Sequence, residues 1–199
     1  MAVPETLVRT EPRREQILSV AARLIAAQGS TATTVRQIAD EVGILSGSLY
    51  HHFRSKDAIV EAIITAHLED LLDRYGKVTA TDAPPLDQLK GLFHASFEAL
   101  AAQPHASEIY QNEYRYLASL PAFSGMRDAT HRIQHVWLGV IHHGVDQGVF
   151  RENIEPQLFY RFARDAIWPS VRWYRHEGSP PLSSIADACI NLFLDGFRK

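Results

Sequence analysis

Proline and glycine cut this sequence into segments whose apolar residues recur at helical spacing, and that punctuation constrains the fold more than any other feature. Pro12, Pro84-Pro85, Pro104, Pro121 and Pro156 stand where helical stretches open, and Gly29, Gly43 and Gly148 stand where they stop. Proline suits a first helical turn because its missing N–H would be unpaired there anyway; glycine closes a helix because it takes left-handed backbone angles without steric cost. No stretch shows the sustained period-two alternation of a half-buried strand. The chain is therefore expected to be all-α, with about nine helices and no flexible linker.

The first helix is expected from about Pro12 to Gln28, with Ile17, Ala21, Leu24 and Ile25 as its apolar stripe. Residues 1–11 mix apolar residues with Glu5, Arg9 and Glu11 and read as a disordered tail. Thr34 and Gln37 form a Thr-x-x-Gln capping box for a short second helix that buries Val35, Ile38, Ala39 and Val42, and Gly43 ends it. A third short helix covers about Ser46 to His51. Ser55 then caps a long fourth helix, with Asp57 well placed in its first turn. Further helices open at Pro84-Pro85, at Pro104 and after Pro121. An Arg- and Trp-rich helix runs from Pro156 to His176, and Gly178-Ser179-Pro180-Pro181 turns into the last one. The division is a head at 1–54 and a body at 55–199, with the fourth helix shared.

Composition narrows the class. Of 199 residues, 46% are hydrophobic and 22% charged, as in ordinary globular proteins. No apolar run approaches the roughly 20 residues that span a bilayer, and no signal-peptide pattern opens the chain. The single cysteine, Cys189, suits a reducing compartment, so a cytoplasmic location is expected. Net charge is −3, but it is uneven: residues 1–56 hold seven Lys/Arg against five Asp/Glu, and the remainder thirteen against eighteen. The front end therefore permits nucleic-acid binding without demonstrating it. No nucleophile–base motif, phosphate-cradling glycine loop or carboxylate–histidine set appears, so neither enzymatic activity nor a cofactor is implied.

Residues 34–53 form helix, glycine turn and helix, the spacing with which one helix braces across a DNA backbone while a second inserts into the major groove. Ser46, Gly47, Ser48, Tyr50 and His51 supply a small, polar, insertable face, while Leu49 and Phe53 face inward. Thr34, Tyr50 and Lys56 are candidate phosphate contacts, and Arg36 reaches either backbone or a base edge. By spacing alone the same residues also suit a helical hairpin in a plain bundle. The run from Thr34 to Lys56, with Ile38-Ala39, Gly43, Gly47-Ser48-Leu49-Tyr50-His51-His52-Phe53 and Ser55-Lys56, resembles the DNA-binding signature of the TetR family. That resemblance implies a homodimeric repressor of palindromic double-stranded operator DNA, released by a small-molecule inducer, with no membrane partner. One departure is Leu45, where the family usually carries a small hydroxyl residue before the recognition helix; Ser46 can substitute.

The resemblance also implies that the last two helices pair with their symmetry mates. Ile185, Cys189, Leu192 and Phe193 follow helical spacing on the final helix, and Trp173 precedes it, so these five form the expected interface. In the Arg- and Trp-rich helix, at about 100° per residue, Arg161, Arg164, Trp168, Arg172 and Arg175 share one face, with Phe159, Phe162, Ala166, Pro169 and Trp173 opposite. Such an arginine ladder around an indole can clamp phosphates and stack a planar ring, though a solvated, salt-bridged face near a dimer interface has the same pattern. Phe97 and Tyr114 are candidate cavity residues among aromatics that otherwise suit a core. His131, His135, His142 and His143 share a helix without an accompanying carboxylate or thiolate at ligand spacing, and read as polar lining or surface rather than a metal site.

Within the family, Ile44–Phe53, Gly91–Ala99, Ile109-Tyr110-Gln111 and Tyr160–Arg175 are similar to the repressors of actinobacterial cholesterol-ring degradation. That similarity implies as inducer a coenzyme A thioester of a partly degraded steroid, held by Arg164 and Trp168 with Arg172. The alternatives are a repressor of an efflux or lipid-metabolism operon sensing another apolar ligand, and, in a different class, a helical-bundle enzyme.

Overall fold

The computed structural model describes residues 5–174 and 180–197. Among them are nine α-helices, two 3-10 turns and no β-strand. The head comprises α1 (Glu5–Gln28), α2 (Val35–Val42) and α3 (Ser46–His52). Helix α1 begins at Glu5 rather than at Pro12, so Pro12 lies inside it. A proline there forfeits one backbone hydrogen bond and crowds the carbonyl four residues back, and the helix continues despite that cost. The Thr34–Gln37 capping box forms as the spacing requires: Gln37 N–H donates to Thr34 Oγ1, and Gln37 Oε1 accepts from Thr34 N–H. Gly43 closes α2 at φ +75°, a conformation that a side chain would oppose. Ile17, Ala21 and Ile25 meet Ile38, Ala39, Val42, Leu49 and Phe53 in the head's core.

Helix α4 (Lys56–Thr79) runs from this core into the body, capped by Ser55, whose Oγ accepts from Ala58 N–H. It packs against α1, α5 (Pro85–Ala102), α6 (Pro104–Leu117) and α7 (Ser124–Asp146). Head and body thus share one continuous apolar cluster. The body's tyrosine and tryptophan rings pack edge-on there: Trp137 meets Phe93 at 5.1 Å and Tyr75 at 6.2 Å between centroids. Tyr75 is fully buried and bonds Ser96 Oγ at 2.6 Å, and burial pushes its phenol up to about 12. After α7 the chain turns tightly so that Phe150 lies against Gly144, where an added Cβ would come within 2.1 Å of the ring.

Helix α8 spans Pro156–Ile167, with Glu155 as N-cap accepting from Gln157 and Leu158 N–H, and α9 spans Leu182–Phe197 and packs on α5. The sequence reads one helix from Pro156 to His176, kinked at Pro169; the break is sharper than a kink, for α8 ends at Ile167 and a 3-10 turn follows over Trp168–Arg172. Pro169 is the cause, since it has no N–H to donate and its ring collides with the carbonyl four residues earlier. Arg175 and the turn through Ser179 lie outside the described residues.

Candidate DNA-binding and inducer sites

The head presents Gly47, Ser48, Tyr50 and His51 at its surface, with Ser46 half-buried and Leu49 in the core. These are the expected recognition residues, displayed together by α3. Arg36 extends into solvent with only Asp40 beside it, at 3.8 Å, so its guanidinium is available to a phosphate or a base edge. The Thr34 hydroxyl is occupied by the α2 cap. Leu45 stands at the N-cap of α3 with no side-chain hydrogen bond and is 79% exposed; Ser46 does not replace the missing cap.

Lys56 departs from expectation. Its ammonium donates to the carbonyl oxygens of Ser30 and, at 2.9 Å, Thr33, and so staples the α1–α2 loop to the start of α4. Two of its three protons are spent inside the protein, because those carbonyls lie past the end of one helix and before the next. Arg23–Glu41 and the Arg14 guanidinium 4.7 Å above the Phe53 ring also tie α1 to the other head helices, contacts that sequence spacing did not reveal.

In the body, a cleft of about 420 Å³ opens between α6 and α8. Its walls include Tyr110, Tyr114, Arg115, Thr130, Arg164 and Trp168. Three of the five expected ligand residues, Tyr114, Arg164 and Trp168, therefore meet in one place. Trp168 is not on an exposed arginine ladder, however. The 3-10 turn swings it inward, where it is 6% exposed and packs edge-on against Tyr110 at 6.2 Å and His67 at 5.9 Å. The buried side of α8 is Phe159, Tyr160, Ala163 and Ile167; Phe162, Ala166 and Trp173, expected to pack, are exposed. Arg164 stands with its guanidinium 6.0 Å over the Tyr160 ring and bonds Asp165 at 2.7–2.8 Å, and that pairing raises its already high pKa.

Arg172 lies beside the cleft rather than in its wall, donating to Asn112 Oδ1 on α6 at 2.9 Å. Phe97 is 2% exposed within the core and does not reach the cleft; an aromatic at helical spacing looks the same in sequence whether it fills a core or lines a cavity. Sequence reasoning missed Arg115 and Thr130 as lining. Thr130 bonds the Tyr110 hydroxyl at 3.1 Å, and burial raises the Tyr110 pKa, so this phenol stays neutral. The cleft thus offers the Arg115 guanidinium, the Arg164 guanidinium paired with Asp165 in the same wall, and buried aromatic rings beside them. That combination is suited to an anion joined to a flat apolar or heteroaromatic group.

The expected dimer residues differ in how far they face outward. Leu192 and Trp173 are exposed, Ile185 and Cys189 are half-buried, and Phe193 turns inward against Phe93 and Phe159 at 5.8 and 5.7 Å. Burial pushes the Cys189 thiol up to about 11.

A three-helix head with a capped helix-turn-helix, joined through one long helix to a body holding a cleft, defines a class of one-component DNA-binding regulators. The family model for bacterial regulatory proteins of the TetR family matches residues 17–63, and that for the tetracyclin repressor-like C-terminal domain matches residues 82–197. The chain belongs to the TetR family and is a transcriptional repressor, not an enzyme. It is 42% identical over 187 residues to the HTH-type transcriptional repressor KstR2 of Mycobacterium tuberculosis H37Rv, covering 94% of each chain. It is 41% identical to KstR2 of Rhodococcus jostii RHA1, covering 94% of this chain and 92% of that one. The solved structure of the M. tuberculosis ketosteroid transcriptional regulator KstR2 superposes with a TM-score of 0.89, covering 94% of this chain and 95% of the other. The fold alone is shared with AibR, solved in complex with isovaleryl coenzyme A and operator DNA, at 19% identity and a TM-score of 0.80, over 90% and 97% of the two chains.

Proposed function

We propose that this repressor holds a palindromic operator as a homodimer and is released by a coenzyme A thioester of a steroid-ring fragment. The observation that carries this reading is the meeting of Tyr114, Arg115, Arg164 and Trp168 around one cleft. Guanidiniums in the wall match phosphates bidentately, and the aromatic rings beside them match a fused-ring acyl group or an adenine. A volume of about 420 Å³ lies within the usual range for small-molecule sites, and the open side leaves the rest of a long ligand outside. The similarity to KstR2, described as a ketosteroid regulator, supports the steroid half of the assignment.

In this reading the recognition helices of the dimer span one helical turn of DNA, about 34–36 Å. The thioester binds the body better in a second state that displaces the heads, and a coupling of about 1–3 kcal/mol per site lowers operator affinity roughly 5–150-fold. Only differential affinity for the two states drives release, so tight binding alone does nothing. The repressor acts where the chromosome is, in the cytoplasm, and no helix among the described residues is long and apolar enough to cross a membrane.

The test is a gel shift on the DNA upstream of the gene, titrated with steroid-derived coenzyme A thioesters and then with simple acyl-CoAs. Release by the steroid thioester in the parent, and its loss in Arg164→Ala and Trp168→Ala with DNA binding intact, is the expected result. A complex indifferent to every thioester discards the inducer, and release that persists in both variants discards the cleft.

A further inference from the structure

Glu113 lies on α6 among the cleft residues Gln111, Tyr114 and Arg115, but its side chain leaves the cleft and reaches the head. Its Oε1 accepts the Ser30 N–H at 2.6 Å, a bond between residues 83 apart in sequence. Ser30 is buried in the α1–α2 loop that opens the helix-turn-helix. Lys56, at the start of α4, holds that same loop through the carbonyls of Ser30 and Thr33. One loop is thus held by its acceptors from the helix that enters the body and by its donor from the helix that walls the cleft. The second carboxylate oxygen, Glu113 Oε2, is buried with no hydrogen-bond partner, a state shared among the described residues only by His67 Nδ1. A half-satisfied buried carboxylate gives a contact that is directional yet cheap to release, since water regains an oxygen that the protein leaves unpaired.

We propose that Glu113 is a positioning residue that sets the DNA-binding head against the body and passes displacement of α6 to the α1–α2 loop. The positioning role stands on the Ser30 contact alone; the regulatory role rests on the cleft being the inducer site. With the contact made, the head is held in one orientation and the two recognition helices keep their spacing. With it broken, each head pivots on α4, and operator binding must pay to order both. A ligand wedged against Tyr110, Tyr114 and Arg115 moves α6, and Glu113 moves with it.

The experiment measures operator affinity of full-length Glu113→Ala, Glu113→Asp and Glu113→Gln without ligand, by fluorescence anisotropy on the upstream DNA. Aspartate keeps the charge but is too short to reach Ser30; glutamine keeps an acceptor oxygen at the right distance. The Ala and Asp variants are expected to lose about tenfold in operator affinity, within the usual range for coupling between sites, and Gln less than about threefold. The salt dependence of binding stays parental, because no phosphate contact has been removed. Should Glu113→Ala not fold, Glu113→Asp decides. Affinities of Ala and Asp within about twofold of the parent, or a changed salt slope, overturn the positioning role. With a saturating steroid-ring coenzyme A thioester, the ratio of operator affinities without and with ligand is expected to fall to near one in Glu113→Asp. A parental ratio overturns the regulatory role. Failure of the parent itself to bind the thioester discards the inducer and leaves the ligand-free comparison to decide Glu113.

Discussion

The imidazole of His67 lies fully buried on α4, with the Trp168 ring edge-on and Ser107 Oγ 3.2 Å from Nε2. Desolvation lowers its pKa from the ordinary 6.5 to about 4, against the opposing field of Asp70 and with a smaller push in the same direction from Arg74. A histidine so depressed binds its proton later in the folded state than in the unfolded one. Its neutral form is therefore fully compatible with folding above about pH 6.5, and stability is lost as pH falls from there toward 4, because only the unfolded chain gains the proton. Between pH 7.5 and pH 5 the loss from this one group is about 2 kcal/mol. His67→Gln keeps a polar partner for Ser107 and removes the titration. Urea unfolding at one fixed protomer concentration should show the parent losing about 2 kcal/mol more than the variant over that interval. Equal losses would mean that the imidazole takes up its proton in place, and that the pocket behind Trp168 is wetter than its packing indicates.

At the scale of elements, α3 is the helix with the least local support. It has seven residues, and its N-cap is Leu45, which offers no oxygen to the orphan N–H groups of the first turn. Leu45→Ser supplies one, and a serine cap is typically worth about 1 kcal/mol, so a thermal melt should move up by a few degrees. A melt at or below the parent would show that Leu45 stabilises the head by packing that its exposure conceals. The absence of an oxygen at Leu45 was legible in the sequence, though Ser46 does not make up for it as expected. Also legible were the Thr34 box, the Gly43 stop and the helices opened by Pro85, Pro104 and Pro156, because each is decided within about four residues, whereas Pro12 lies inside α1. Features set by distant residues were not legible. The destiny of Lys56 depends on carbonyls 23 and 26 positions upstream. The inward turn of Trp168 has a local cause instead, the helix broken at Pro169: extending a regular 100° per residue through that break placed the indole among the exposed arginines. Glu113 carried no sequence signal at all; a lone glutamate on an amphipathic helix looks solvated until the loop it holds is known.

For the whole molecule, large exposed apolar side chains gather where α8 and α9 face outward. Leu158 and Phe162 lie on α8, Trp173 follows its 3-10 turn, and Leu192 on α9 is 82% exposed. Scattered single residues of this kind need no explanation, but three on or just after α8 and its 3-10 turn, with a fourth on α9 packed beside α8, mark a surface that water should not cover. Two such surfaces meeting around a two-fold axis bury all four residues twice over, since each patch is its own complement. The interface is therefore expected to hold Leu192 and Trp173 together with Phe162 and Leu158, with less from Phe193, which is partly buried against Phe93 and Phe159. Phe162→Glu combined with Leu192→Glu sets like charges against each other across the axis without touching the buried face of either helix. Light scattering should report twice 22.4 kDa for the parent and 22.4 kDa for the double variant. Tyr116→Glu, equally exposed but on α6, should remain dimeric. The monomer keeps a folded head but holds one half-site at a time, so it forfeits the gain from tethering two heads, typically 10²–10⁴-fold in affinity. A double variant that stays dimeric while binding its operator like the parent would place the two-fold axis on another face, and would leave the exposed Phe162 and Leu192 to be explained by a different partner.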